Sequence, residues 1–324
     1  MIGTQTPFRM SFIGGGTDLK EFYSRHQGAV LSTTIDKYMY IFIHPFFDKQ
    51  IQIKYSKTEL VDRIDQIKHP IVREALKKFD LNGIDINSIA DIPSGTGLGS
   101  SSTFTVGLLN ALYLYTNKKV SRQLLAEEAC EIEIQKLNEP IGKQDQYAAA
   151  LGGLNIIRFN PNENVCIEPI AMKNKDYNKL QDNLLLFYTG KTRKASEVLE
   201  AQKSNLQNNN SKFESMIQMT ELVEEAKNML IQSDLTGFGR ILDKNWKLKK
   251  TLANKISNTD IDDIYEHAKK NGATGGKLLG AGGGGFLLFY CDKKKQEELR
   301  NGLKQLQEVS FNFEAGGTKS IDFK

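Results

Sequence analysis

The chain has 324 residues, 40% hydrophobic and 25% charged, a globular composition long enough for two domains and inconsistent with a chain dominated by disorder. Its 43 basic and 39 acidic residues are spread along the sequence, so the net charge of +4 attracts small anions mildly and supplies no basic arm for a nucleic acid. Cys130, Cys166 and Cys291 lie far apart and outside any C-x-x-C spacing, which argues against a disulfide framework or zinc site and predicts buried thiols in a reducing compartment.

Pro7 to Ile13 alternates apolar and polar residues, as a half-buried strand does, and breaks at Gly14-Gly15-Gly16-Thr17-Asp18. Arg9 and Asp18 flank that turn. They could set a cation near a phosphate and a carboxylate near sugar hydroxyls, or be a surface arginine and a capping aspartate. Tyr38 to Ile43 and Ile51 to Tyr55, rich in aromatic and β-branched residues, predict a hairpin through Pro45 and Asp48-Lys49. Pro70 to Phe79 has helical spacing, and Ile84-Asp85-Ile86 is a short strand. Next comes Pro93-Ser94-Gly95-Thr96-Gly97-Leu98-Gly99-Ser100-Ser101-Ser102, which runs into the apolar helical pattern Phe104, Leu108, Leu109, Leu112. Glycines without Cβ atoms, delivering a helix N-terminus with serine hydroxyls, suit a polyphosphate and its magnesium. A flexible turn capped by Ser100 or Ser101 is the other reading. The stretch is neither a P-loop, since no lysine follows, nor a dinucleotide fingerprint, since Ser100 replaces the third glycine.

Ser121 caps a second helix bearing Glu127, Glu128, Glu131 and Glu133, which Pro140 and Gly142 end. Asp145 follows at the start of a small-residue helix, as a cap or as a working carboxylate. After the strand Leu154 to Phe159, the polar stretch Asn160 to Asp182 has weak periodicity and sets the expected domain boundary, giving domains 1–175 and 176–324. Leu184 to Tyr188 is a buried strand, followed by the basic turn Thr189-Gly190-Lys191-Thr192-Arg193-Lys194, which is either a phosphate site or a solvated surface. Ser211 to Leu252 holds two amphipathic helices, and Asp260 caps a third. Gly275 to Gly285 is a second glycine-dense loop, before Phe286 to Cys291. That apolar run has strand length, not membrane length, so a cytoplasmic protein with no membrane partner is expected.

Three glycine-rich loops, near residues 15, 97 and 283, with an aspartate between the second and third, resemble the GHMP small-molecule kinases, the superfamily of galactokinase, homoserine kinase, mevalonate kinase and phosphomevalonate kinase. Pro93 to Ser102 fits that family's P-x-x-x-G-L-G-S-S-[SA] motif at every fixed position, and Lys277 to Gly285 looks like its third motif, with Leu279 where threonine is frequent. The resemblance implies an α+β, two-domain GHMP kinase fold, an N-terminal half like ribosomal protein S5 domain 2 and a ferredoxin-like C-terminal half. It implies ATP bound by Pro93, Gly95, Gly97, Leu98, Gly99, Ser100, Ser101 and Ser102 with Gly282 and Gly283, and Mg2+ held by Ser101 and Glu133. Asp145 would be the base, helped by Arg9. The acceptor would meet Gly15, Gly16, Thr17, Asp18, Thr189, Gly190, Lys191, Arg193, Gly283 and Gly284.

The first turn departs from the Gly-Glu-His-Thr-Asp of galactokinases and is similar to the branch of heptose 7-phosphate kinases and fucokinases, which phosphorylate an anomeric hydroxyl. Tyr188-Thr189-Gly190 with Arg193 resembles the heptose-phosphate members. The expected partners are thus ATP and a sugar phosphate, whose distal phosphate would meet Lys191, Arg193 and Lys194. An unphosphorylated sugar such as fucose and a non-catalytic sugar sensor are the alternatives, and a homodimer is left open.

Overall fold

The structure, a computed structural model, describes residues 1–192 and 195–323. Its strands are β1 (Ile2–Ile13), β2 (Gly28–Pro45), β3 (Ile51–Lys54), β4 (Thr58–Val61), β5 (Ile84–Ala90), β6 (Asn155–Phe159), β7 (Val165–Pro169), β8 (Leu184–Tyr188), β9 (Ala273–Leu278), β10 (Phe286–Cys291), β11 (Gln307–Glu308), β12 (Phe313–Glu314) and β13 (Lys319–Ile321). The helices are α1 (Lys20–Tyr23), α2 (Pro70–Phe79), α3 (Ser100–Tyr115), α4 (Arg122–Cys130), α5 (Gln144–Leu151), α6 (Asn174–Asp182), α7 (Ala195–Asn208), α8 (Asn210–Ile231), α9 (Leu235–Thr251), α10 (Thr259–Lys270) and α11 (Gln296–Gly302).

A nine-stranded sheet runs β13-β1-β2-β5-β3-β4, with β6 and β12 pairing other parts of the long β2 and β7 pairing β6. A four-stranded sheet runs β11-β8-β10-β9. The α+β class expected from sequence is the one observed. Strand β1 alternates as predicted: Phe8, Met10 and Phe12 enter the main core, while Arg9 and Ser11 line a cleft. The smaller sheet is covered on both faces. Leu184, Leu186, Phe286 and Leu288 join the main core, whereas Leu185, Phe187, Leu287 and Phe289 join a second core with Trp246 and Tyr265. Burial on both faces explains why these strands are continuously apolar rather than alternating.

Several local expectations change. The hairpin predicted from β2 and β3 is not formed, because β5 inserts between them, antiparallel to β2 and parallel to β3. The polar stretch 160–182 contains β7 and α6. Gly275 and Gly276 belong to β9, so the third glycine turn is shorter than the sequence suggests. Asn258, not Asp260, caps α10, accepting from the Ile261 amide. Cys130 and Cys291 are buried, but Cys166 is exposed, since β7 has only β6 as a neighbour. The division at 175/176 does not partition the sheets: the tail returns to the larger one, β12 against β2 and β13 against β1. Among the described residues, no helix is long and apolar enough to cross a membrane.

Candidate active site

Three glycine turns converge at one cleft of about 1200 Å³. The first closes β1. Its Thr17 amide donates to the Gly14 carbonyl at 3.0 Å, and the buried Thr17 hydroxyl exchanges hydrogen bonds with the Ala29 backbone, so Thr17 fastens the turn to β2 rather than facing the cleft. Asp18 does line the cleft. It accepts from the Gly16 amide at 3.0 Å and the Gln144 amide at 3.1 Å, while burial and then the Asp145 carboxylate raise its pKa.

The second turn ends at Gly99, in left-handed conformation (φ 80°), and α3 starts at Ser100 without a side-chain cap, so neither serine plays the capping role. Their hydroxyls are thereby left for other partners. Close packing between backbones dictates the glycines here: a Cβ on Gly97 would lie 2.3 Å from the Leu279 carbonyl oxygen, and one on Gly280 would lie 2.5 Å from the Gly97 Cα. The second and third turns therefore interlock. Pro93, Gly95, Gly97, Gly99, Ser100, Ser101 and Ser102 line the cleft, whereas Leu98 points into the core.

In the third turn, Gly280 and Ala281 line the cleft. Gly282 and Gly283, expected at the nucleotide, are packed instead on Ile256, whose carbonyl accepts from the Gly283 amide at 2.9 Å. Gly284 abuts the Lys191 backbone. Thr189 is tied to Gly285 by three hydrogen bonds, and exposed Lys191 pairs with Asp260 at 2.5 Å. Thr189 and Lys191 thus brace the third turn from outside the cleft, and Gly190 between them does not line it either. Arg193 and Lys194 lie outside the described residues.

At the centre, Arg9 and Asp145 form a bidentate pair: Nε and Nη2 each donate to the carboxylate at 2.7 Å, and Nη1 donates to the Gly97 carbonyl at 2.6 Å. Arg9 is 5% exposed and Asp145 24%, so the carboxylate is the member presented to the cleft. The Asp145 side chain does not cap α5. Gln144, overlooked in the sequence, donates to Asp145 at 2.8 Å and accepts from Ser11 at 2.9 Å, fixing the carboxylate from a second side.

Beside α3, Ser101 donates to the Glu133 carboxylate at 2.6 Å and Gln146 donates to it at 2.7 Å. Glu133 sits on a π-helical turn (Glu131–Lys136) that continues α4, a local widening that re-aims its side chain. Burial raises its pKa to about 7, against the lowering effect of its hydroxyl and amide donors. A buried carboxylate beside a hydroxyl is a donor set that a hard divalent cation fits and relieves. Among the described residues, no cluster of three or more His, Cys, Asp or Glu could hold a metal, so two protein oxygens would share such an ion with phosphate oxygens and water.

One end of the cleft is apolar: His69 stacks on Phe104 with centroids 5.0 Å apart, Tyr55 meets His69 edge-on, and Ile89 and Ile92 continue the surface. The other end holds Lys249 and Lys277, which the sequence reading did not single out for the site. The signal was present for Lys249, which extends the apolar stripe of α9 through Leu242 and Trp246, a position where lysine is out of place.

A glycine turn at a helix N-terminus, a cation-fitting pair and an oriented carboxylate in one cleft are the parts of a phosphotransferase. Residues 65–153 match the family described as GHMP kinases N terminal domain, and residues 220–308 match GHMP kinases C terminal; the chain belongs to the GHMP kinase family and is an ATP-dependent sugar kinase. It is 33% identical, over 98% of both chains, to the D-glycero-alpha-D-manno-heptose 7-phosphate kinase of Campylobacter jejuni subsp. jejuni serotype O:2. It is 27% identical to the bifunctional fucokinase/GDP-fucose pyrophosphorylase of Arabidopsis thaliana, over 86% of this chain and 28% of that protein. The crystal structure of a putative sugar kinase from Campylobacter jejuni superimposes with a TM-score of 0.75 at 28% identity, covering 99% and 98% of the two chains.

Proposed function

We propose that this sugar kinase transfers the γ-phosphoryl group of ATP to the anomeric hydroxyl of D-glycero-D-manno-heptose 7-phosphate, giving heptose 1,7-bisphosphate for a nucleotide-activated heptose. The observation that carries the chemistry is the bidentate Arg9–Asp145 pair, open to the cleft between the first two glycine turns. The named activity of the Campylobacter jejuni relative supports the choice of acceptor.

The adenine lies at the apolar end against His69 and Phe104, and the phosphates follow the Gly95–Ser102 turn to the α3 N-terminus, whose dipole favours negative charge. Ser101 and Glu133 would hold Mg2+, which when bound neutralises phosphate charge. Asp18 and the Gly15–Gly16 turn receive the sugar. Asp145 accepts the proton of the attacking hydroxyl as that oxygen bonds to the γ-phosphorus and the bond to ADP breaks. Arg9 and Gln144 hold the carboxylate in its orientation, and the guanidinium offsets negative charge gathering at the acceptor.

ADP release measured with heptose 7-phosphate, unphosphorylated heptose and L-fucose tests the reading, with phosphorus NMR locating the new ester. Preference for heptose 7-phosphate and an anomeric phosphate signal are expected. Preference for fucose or free heptose overturns the assignment.

A further inference from the structure

Arg9, Lys249 and Lys277 are the buried basic residues among those described, at whole-residue exposures of 4%, 4% and 3%, and all line the same cleft. Arg9 has its carboxylate in Asp145. Neither lysine has a carboxylate within ion-pair distance: Lys249 Nζ donates to the Gly15 carbonyl at 2.9 Å and Gln202 Oε1 at 3.2 Å, and Lys277 Nζ donates to the Ser11 carbonyl at 2.7 Å. All those acceptors are neutral. Desolvating an ammonium group without an opposing charge is costly, so such groups either lose the proton or await an anion. An ammonium has three N–H donors, of which Lys249 uses two and Lys277 one, so each has donors to spare.

The setting shows the strain of that arrangement. Burial, then Lys249, then Arg9 push the Lys277 pKa well down, and burial lowers Lys249 to about 8, with Asp18 opposing. The three cations therefore repel one another across a shared space in which Asp145 and Asp18 are the carboxylates. A dianion between the lysines would relieve this. They reach that space from the α9 and β9 side, with Lys249 held against the Gly15–Gly16 turn: a Cβ on Gly16 would lie 3.1 Å from its Nζ.

We propose that Lys249 and Lys277 form the seat for the phosphomonoester of the acceptor sugar, beside the Gly15–Gly16 turn, and that this seat gives the enzyme its preference for a phosphorylated sugar. The inference rests on the acceptor being a sugar phosphate, as read above, and assigns its recognition to residues inside the cleft, while Lys191 is engaged with Asp260 outside it. The transferred γ-phosphoryl is the other phosphate that could reach these lysines, and kinetics separate the two.

Steady-state kinetics with heptose 7-phosphate, free heptose and ATP are compared for wild type, K249M, K277M and K249R, with ADP titration as a check of folding. Charge-assisted hydrogen bonds of this kind are worth about 10- to 100-fold in binding. K249M and K277M are each expected to raise KM for heptose 7-phosphate by about that factor, to leave KM for ATP and the Kd for ADP within about twofold, and to collapse the preference for the phosphorylated sugar. K249R keeps most of the preference. A rise confined to KM for ATP would assign the lysines to the γ-phosphoryl and overturn the proposal, as would unchanged KM values. If wild type itself fails to prefer heptose 7-phosphate, the acceptor assignment falls first, by a readout that involves no variant. Should K249M not bind ADP, K249Q carries the same comparison with a shorter, uncharged side chain.

Discussion

Asp145→Asn separates the chemistry from the architecture around it. Arg9 is 5% exposed and places two hydrogen bonds of 2.7 Å on Asp145. Asparagine offers one oxygen where aspartate offers two, so one charge-assisted hydrogen bond disappears, at a cost of about 1.5–3 kcal/mol. The loss stays below the roughly 3–5 kcal/mol of removing a buried partner outright, because the remaining oxygen and the Gly97 carbonyl still accept from the guanidinium. Catalysis suffers more. An amide takes no proton, which removes the 10²–10⁴-fold of a positioned base, or about 3–5 kcal/mol of barrier. Urea denaturation gives the first quantity, and ADP release at saturating ATP and sugar gives the second. Nucleotide affinity, measured by ADP titration, is expected to persist, since Asp145 sits beside Gln144 and Asp18 of the first turn and not at the apolar end of the cleft. A kcat within about tenfold of wild type would refute Asp145 as the base.

Three further outcomes follow from the geometry. Gly97→Ala puts a Cβ 2.3 Å from the Leu279 carbonyl at a φ of 90°, so it costs more than the about 1–2 kcal/mol of left-handed backbone alone and weakens ADP binding; Gly190→Ala, at a φ of 73° with open space around it, costs only the backbone term, and equal denaturation midpoints for the two would contradict the interlocked turns. Ser101→Ala and Glu133→Gln each raise the Mg2+ concentration for half-maximal rate by about tenfold or more, checked by metal titration at fixed ATP, and an unchanged requirement removes both from the metal site. Lys249, faced by Asp18, Arg9 and Lys277, has its pKa lowered from 10.5 to about 8, so the unfolded chain binds more protons between those values and the native state gains stability as pH rises through them, by about 3 kcal/mol. Wild type should therefore gain on K249M in urea denaturation from pH 8 to 10.5, and a difference independent of pH would refute the depressed lysine.

Local signals found the elements whose cause is local. Alternation marked β1, the spacing of Phe104, Leu108 and Leu112 marked α3, and Ser121 does cap α4, accepting from the Leu124 amide at 3.1 Å. The hairpin of β2 and β3 failed because its geometry depends on β5, a partner that arrives some thirty residues later in the chain. Arg9 and Asp145, 136 positions apart, were each legible as candidates and meet as a bidentate pair. Gln144 was not, since it is ordinary in its own helix and takes its place in the cleft only through contact with Asp145; Lys249 stood out on the apolar stripe of α9, but nothing local tied it to the first glycine turn.

By itself the sequence determined the chemistry the protein can perform: a glycine turn delivering a helix N-terminus, hydroxyls and carboxylates at motif spacing, and the family these imply, all properties of covalent neighbours. Only the tertiary structure decided which cations line the cleft. Burial and charge pairing depend on residues distant along the chain, so Lys191, prominent in sequence, pairs with Asp260 outside the cleft, while Lys249 and Lys277, not assigned to the site from sequence, are enclosed within it without an ion-pair partner.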